Sequence, residues 1–108
     1  MIPKHLNEDA FERVDRLDRV KSSMGISSKD FDDELLRMID ACRLDMQLAG
    51  IYWSDPNDVL IEQAIKLYCK AFFRNDEKSE NNEKAYTRLK CALSLMDFYK
   101  ENKENGNA

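Results

Sequence analysis

The chain has 108 residues, 43% hydrophobic and 35% charged, with a net charge of −4; that composition fits one small globular domain with a modest core and excludes a disordered or fibrous chain. The acidic balance argues against a nucleic-acid reader, which carries a basic face. No apolar run approaches the ~20 residues that span a bilayer, and MIPKHLNEDAFERV has no signal-peptide apolar stretch, so no membrane partner is expected, and a protein made and kept in the cytoplasm or assembled there into something larger is.

Helical spacing divides the chain into four segments, and nothing alternates with the period of two that a half-buried strand requires. The first covers residues 8–24, with Ala10, Val14, Leu17 and Val20 as a narrow apolar stripe. Arg13, Arg16 and Arg19 could suggest a DNA-facing row. Asp9, Glu12, Asp15 and Asp18 interleave with them, which predicts a solvated face of short-range ion pairs. Gly25 follows this segment and Gly50 the next, where a left-handed C-terminal cap would place them.

The second segment, residues 28–49, repeats Phe31, Leu35, Met38, Ile39, Cys42, Met46 and Ala49 at three- and four-residue steps. Ser27 or Ser28 can cap it, and Asp30, Asp32, Asp33 and Glu34 suit the positive end of the helix dipole. The loop IYWSDPN follows. Asp55-Pro56 then reads as a helix opening, a capping side chain before a residue with no backbone N–H to leave unpaired. In this third segment Leu60, Ile61, Ala64, Ile65, Leu67, Tyr68, Ala71 and Phe72 share one broad face, which marks the bundle's central helix; Phe73 falls among the charges. The fourth, residues 79–102, carries Ala85, Tyr86, Leu89, Ala92, Leu93, Met96 and Tyr99 toward a core and a second stripe of Cys91, Leu95 and Phe98 on another side. The expected fold is therefore all-α, a bundle of about four helices over residues 1–101, with a polar, mobile tail over residues 102–108.

Chemistry-bearing constellations are missing from this pattern. The single histidine, His5, has no evident partner, and there is no glycine-rich phosphate loop, nucleophile elbow or metal-ligand pair at helical spacing. Acidic runs such as DFDDE at a helix start compensate the dipole far more often than they do acid–base work. Cys42, Cys69 and Cys91 are odd in number and far apart, which suits buried reduced thiols better than disulfides or zinc. The reading is a non-enzymatic protein without catalytic residues, cofactor or metal. What the core does not obviously use is Tyr52, Trp53, Phe73, Cys91, Leu95, Phe98 and Tyr99, the aromatic and apolar types that anchor protein interfaces. Trp53 is better read as folding back over the end of the bundle. Phe73→Ser is expected to leave the monomer folded while weakening assembly.

In their order along the chain, LDRVKSSMGI, DFDDELLRMIDACRLDMQLAGI, DPNDVLIEQAIKLYCKAFF and EKAYTRLKCALSLMDFY resemble the gp6-like head–tail connector (adaptor) proteins of tailed bacteriophages and prophages. The resemblance covers residues 17–99 and includes Ala64, Ile65 and Tyr68 in the third helix and Tyr99 at the end of the last. It departs at FFRND, where related sequences place a glycine. The resemblance implies a ring, typically of twelve copies, beneath the portal protein at the head–tail junction. Such a ring extends the DNA channel without sequence-specific contact and docks a head-closure, stopper or tail protein. It also implies that residues from Phe98 onward order on assembly against the portal. The alternative from another class is a small helical regulatory adaptor that binds a single cellular protein; a helix-turn-helix regulator is weaker, because no basic recognition helix is present.

Overall fold

A computed structural model of the chain describes residues 10–101, and these form an all-helical bundle. Its helices are α1 (Ala10–Met24), α2 (Asp32–Leu48), α3 (Val59–Phe72) and α4 (Ser79–Leu95), followed by a single 3-10 turn at Asp97–Tyr99. The expected tail over residues 102–108, the stretch containing His5 and the predicted start of α1 at residue 8 lie outside the described residues.

The central helix is α3, which packs against each of the other three. Ile61, Ala64, Ile65 and Cys69 give it a fully buried face. Leu17 and Val20 of α1, Leu35, Ile39, Cys42 and Met46 of α2, and Tyr86 and Leu93 of α4 close around them. Each large aliphatic side chain buried this way is worth about 2 kcal/mol.

Both glycine caps form as the sequence predicts. Gly25 and Gly50 have φ of +70° and +86°. After α1, Ile26 N–H donates to the Lys21 carbonyl and Gly25 N–H to that of Ser22; after α2, Ile51 N–H donates to Met46 and Gly50 N–H to Gln47. These are paired Schellman motifs, each followed by a buried isoleucine that pins the chain's exit to the core.

Three helix ends differ from the sequence reading. Ser28 does not cap α2: its Oγ accepts from Asp30 N–H at 3.0 Å in a local turn. The helix begins at Asp32 with Asp32, Asp33 and Glu34 in its first turn. Asp55 does not open α3 either, because its carboxylate closes a turn onto Asn57 N–H. Three residues later Asp58 accepts from Ile61 N–H at 3.0 Å and caps α3. The fourth helix stops at Leu95, since Met96 is extended (φ −90°, ψ 127°). No glycine or proline marks this break. The buried face of α4 is narrower than expected, Tyr86 and Leu93 alone, and a continued helix would leave Tyr99 roughly 140° from Tyr86 and outside it. The break instead delivers it inward, where its carbonyl accepts from Tyr52 N–H at 2.6 Å and its hydroxyl donates to Asp58 at 3.1 Å.

The charges of α1 also behave differently from the predicted solvated face. Arg13 reaches Asp40 of α2 at 3.2 Å, Arg19 reaches Glu62 of α3 at 2.6 Å, and Lys21 reaches Asp32 at 2.7 Å. Arg16 is buried and donates to the Pro56 carbonyl, while Val14, placed in the stripe by periodicity, is exposed. The helix uses its long cationic side chains as cross-links.

Candidate interaction surface

A partly buried polar link joins α2 to α4. Tyr86 O–H donates to the Asp45 carboxylate at 2.5 Å, and Lys90 Nζ adds a second bond at 2.9 Å. Burial by itself would raise the Asp45 pKa, but the bonds from Tyr86 and Lys90 outweigh it and hold the carboxyl below the usual range. Burial and the same carboxylate push the Tyr86 phenol up. Behind this pair, the Cys42 thiol lies 3.8 Å from the Tyr86 oxygen. Burial raises the Cys42 thiol strongly and that of Cys69 to about 12. Thiols held this far from ionisation are poor nucleophiles, so these two behave as small hydrophobes. Cys91 does not belong with them: it is exposed on α4.

The seven side chains singled out from the sequence fall into three places. Tyr52, Trp53 and Tyr99 close one end of the bundle. Trp53 is buried with the Arg43 guanidinium 5.9 Å from its ring centroid, within the range of a cation–π contact. Tyr52 is half-buried and tied to the backbone of Tyr99, and Tyr99 is buried with its hydroxyl on Asp58. Three residues lie on the outside: Cys91, Leu95 at 74% exposure and Phe98 at 78%. They do not form one helical stripe, because the break at Met96 separates Phe98 from α4. Phe73 sits at the opposite end of the bundle. It is half-buried against the core and meets Phe31 edge-on, with centroids 5.4 Å apart.

Sequence reasoning missed further exposed apolar side chains toward the same end of the bundle as Phe98. Met96 and Ala92, assigned to the core face of α4, are exposed. Leu48 is 87% exposed at the end of α2 and Val59 is 79% exposed at the start of α3. A signal for Leu48 was present: it falls on the far side of α2 from Ile39 by helical geometry. Val59 was hidden by the misplaced start of α3.

Among the described residues no group of acidic, histidine or cysteine side chains is arranged to hold a metal ion. No described helix is long and apolar enough to cross a membrane. What the described surface offers is aromatic and aliphatic contact area at the ends of a braced bundle. A family model described as phage connector protein matches residues 17–100. The chain belongs to the phage connector protein family. The match begins inside α1 and runs just past the Asp97–Tyr99 turn, so it takes in the core, both Schellman turns and the exposed end of this connector chain. No curated protein and no solved structure matches the connector significantly.

Proposed function

We propose that this connector is a non-enzymatic head–tail adaptor subunit that forms a ring under the portal protein in the virion neck, extends the DNA channel and presents a docking surface for the stopper or tail. The observation that carries the proposal is the phage connector match over residues 17–100. Two features of the molecule suit the role. Its most exposed apolar side chains, Leu48, Val59, Leu95 and Phe98, lie at a bundle end braced by the Tyr52–Tyr99 and Tyr99–Asp58 bonds, so a partner meets a preformed surface. Its net charge of −4 suits a channel wall that must let DNA slide rather than grip it.

The test is affinity purification of the tagged chain from producing cells after prophage induction, with mass spectrometry of what co-purifies. Portal, capsid or tail proteins are the expected partners, and electron microscopy of the purified complex should show a many-fold ring. A single cellular protein recovered one to one, with no virion component, would replace this reading with that of a regulatory adaptor.

A further inference from the structure

The two ends of the bundle differ in chemistry. At one end α2 stops, α3 starts and α4 stops, drawn together by the bonds among Tyr52, Tyr99 and Asp58. The Asp97–Tyr99 turn projects there with Phe98 78% exposed and the Asp97 side chain 98% exposed, in a surface ion pair with Lys100 at 3.4 Å. At the other end the last residues of α1 and α3 and the first turn of α4 enclose a cleft of ≈ 330 Å³. Ser23, Met24, Lys70, Arg74, Asp76, Lys78 and Asn82 line it.

Three bases and one acid share this cleft, in a chain that is acidic as a whole. Elsewhere Arg13, Arg19, Lys21, Lys66 and Lys90 each hold a carboxylate. Lys70, Arg74 and Lys78 form no ion pair with a described residue. The Asp76 carboxylate, which accepts from Lys78 N–H at 2.9 Å and Ser79 Oγ at 3.3 Å, offsets one of these three charges and leaves the cleft with an excess of base. The cleft lies at the low end of the roughly 300–1,000 Å³ range of ligand pockets, room for one aromatic side chain with a carboxylate beside it.

We propose that these two ends mate between successive copies of this chain: the Asp97–Phe98 turn of one copy seats in the Lys70–Arg74–Lys78 cleft of the next, with Phe98 against Met24 and the Asp97 carboxylate among the bases. The inference rests on the ring reading above and names the contact that builds the ring. Charge complementarity selects the occupant, since the projecting turn supplies an acid to a cleft in which bases outnumber acids, and an aromatic ring where the lining has none. The topology supplies the rest. Because α4 runs antiparallel to α3, turn and cleft lie at opposite ends, so each copy bound through one keeps the other free. Such a heterologous contact propagates and closes into a ring when the rotation per copy permits; a contact between identical patches would stop at a dimer.

Phe98 replaced by the photo-crosslinking residue p-benzoylphenylalanine tests the pairing, in the purified full chain and in producing cells, with the linked peptides read by mass spectrometry. The expected product joins residue 98 of one copy to Met24 or to residues 70–82 of another. Arg74→Glu with Lys78→Glu, both on exposed side chains, should cut that product by about tenfold or more through like-charge repulsion. Asp97→Lys should restore it only on the charge-reversed background. Links to any other surface of a second copy, links only to nucleic acid, or no link at all would overturn the pairing. Links from residue 98 to portal or stopper protein alone would overturn it while leaving the connector reading standing. Links to one cellular protein and nothing else would remove both.

Discussion

Cys91, read with the other two cysteines as a buried thiol although periodicity put it on the outer stripe with Leu95 and Phe98, is the accessible one. Cys42 and Cys69 are buried with their pKa values raised, Cys69 to about 12, whereas Cys91 is exposed. In the native protein a maleimide should label Cys91 within minutes and leave the other two untouched until denaturant is added, counted by intact mass. Phe73 invites a second test at this scale. Its edge-on contact with Phe31 and its half-buried ring give Phe73→Ser an expected cost of about 1–2 kcal/mol by urea unfolding, the aromatic pair and part of the burial being lost together. The variant should therefore remain folded, and any larger effect on assembly belongs to the surface that Phe73 and Phe31 share. Individual residues were the level at which the sequence was least informative. Four-residue spacing from Val20 and Ile39 puts Arg16 and Arg43 beside the buried faces and leaves Arg37 on the far side of α2. Residue type alone argued against burial, because the acceptor or ring that each buried arginine reaches lies elsewhere in the chain.

For the helices, identity and type were legible while the ends were not. The three- and four-residue apolar steps of α2 and α3 pick out Leu35, Ile39, Cys42, Met46, Ile61, Ala64 and Ile65, all buried. Gly25 and Gly50 predicted the ends of α1 and α2, since a left-handed cap favours glycine; the isoleucine after each, which makes the cap's hydrophobic contact, is a signal the pattern also held. At the start of α3 two aspartates compete. Asp55-Pro56 looks the better opening in sequence, but Asp58 wins because it can also accept from Tyr99, a residue 41 positions away that no local rule weighs. Asp58→Ala removes the helix cap and the phenol's acceptor in one change. It should destabilise the protein by about 2–3 kcal/mol in chemical denaturation, whereas Asp55→Ala, which loses only a turn contact, should cost under about 1 kcal/mol. The end of α4 was illegible for the same reason, being drawn in by tertiary bonds without a helix-breaking residue.

Over the whole molecule, stability should form a plateau bounded by acid and alkali. Asp45 and Glu62 both lie in partly buried sites that alone would raise their pKa. Hydrogen bonds from Tyr86 and Lys90 to Asp45, and from Arg19 and Lys66 to Glu62, reverse the sign and leave both depressed. Their contribution is complete above the ordinary values of 3.8 and 4.5 and disappears as pH falls through the lowered ones. On the other side, burial and the bond to Asp58 raise Tyr99 from 10.0 to about 12. Its contribution is complete below pH 10.0 and is lost as pH rises through about 12. Thermal melts against pH should be flat between the two limits, and Tyr86→Phe should make the acid limb shallower by taking one donor from Asp45. Both limits belong to contacts between helices, so each should appear as cooperative loss of the bundle rather than fraying of one element.

The Asp58 carboxylate, shared between the first turn of α3 and the Tyr99 hydroxyl, has a mechanical consequence. Tension applied beyond residue 101 does not peel α4 away turn by turn from its last residue. It reaches the Tyr99 anchor first, and through Asp58 it pulls on the start of the helix that every other helix packs against. In a single-molecule pulling experiment with one handle at the C-terminus, the chain should hold its length up to one abrupt rupture, and Tyr99→Phe should lower that force and let α4 come off in small steps.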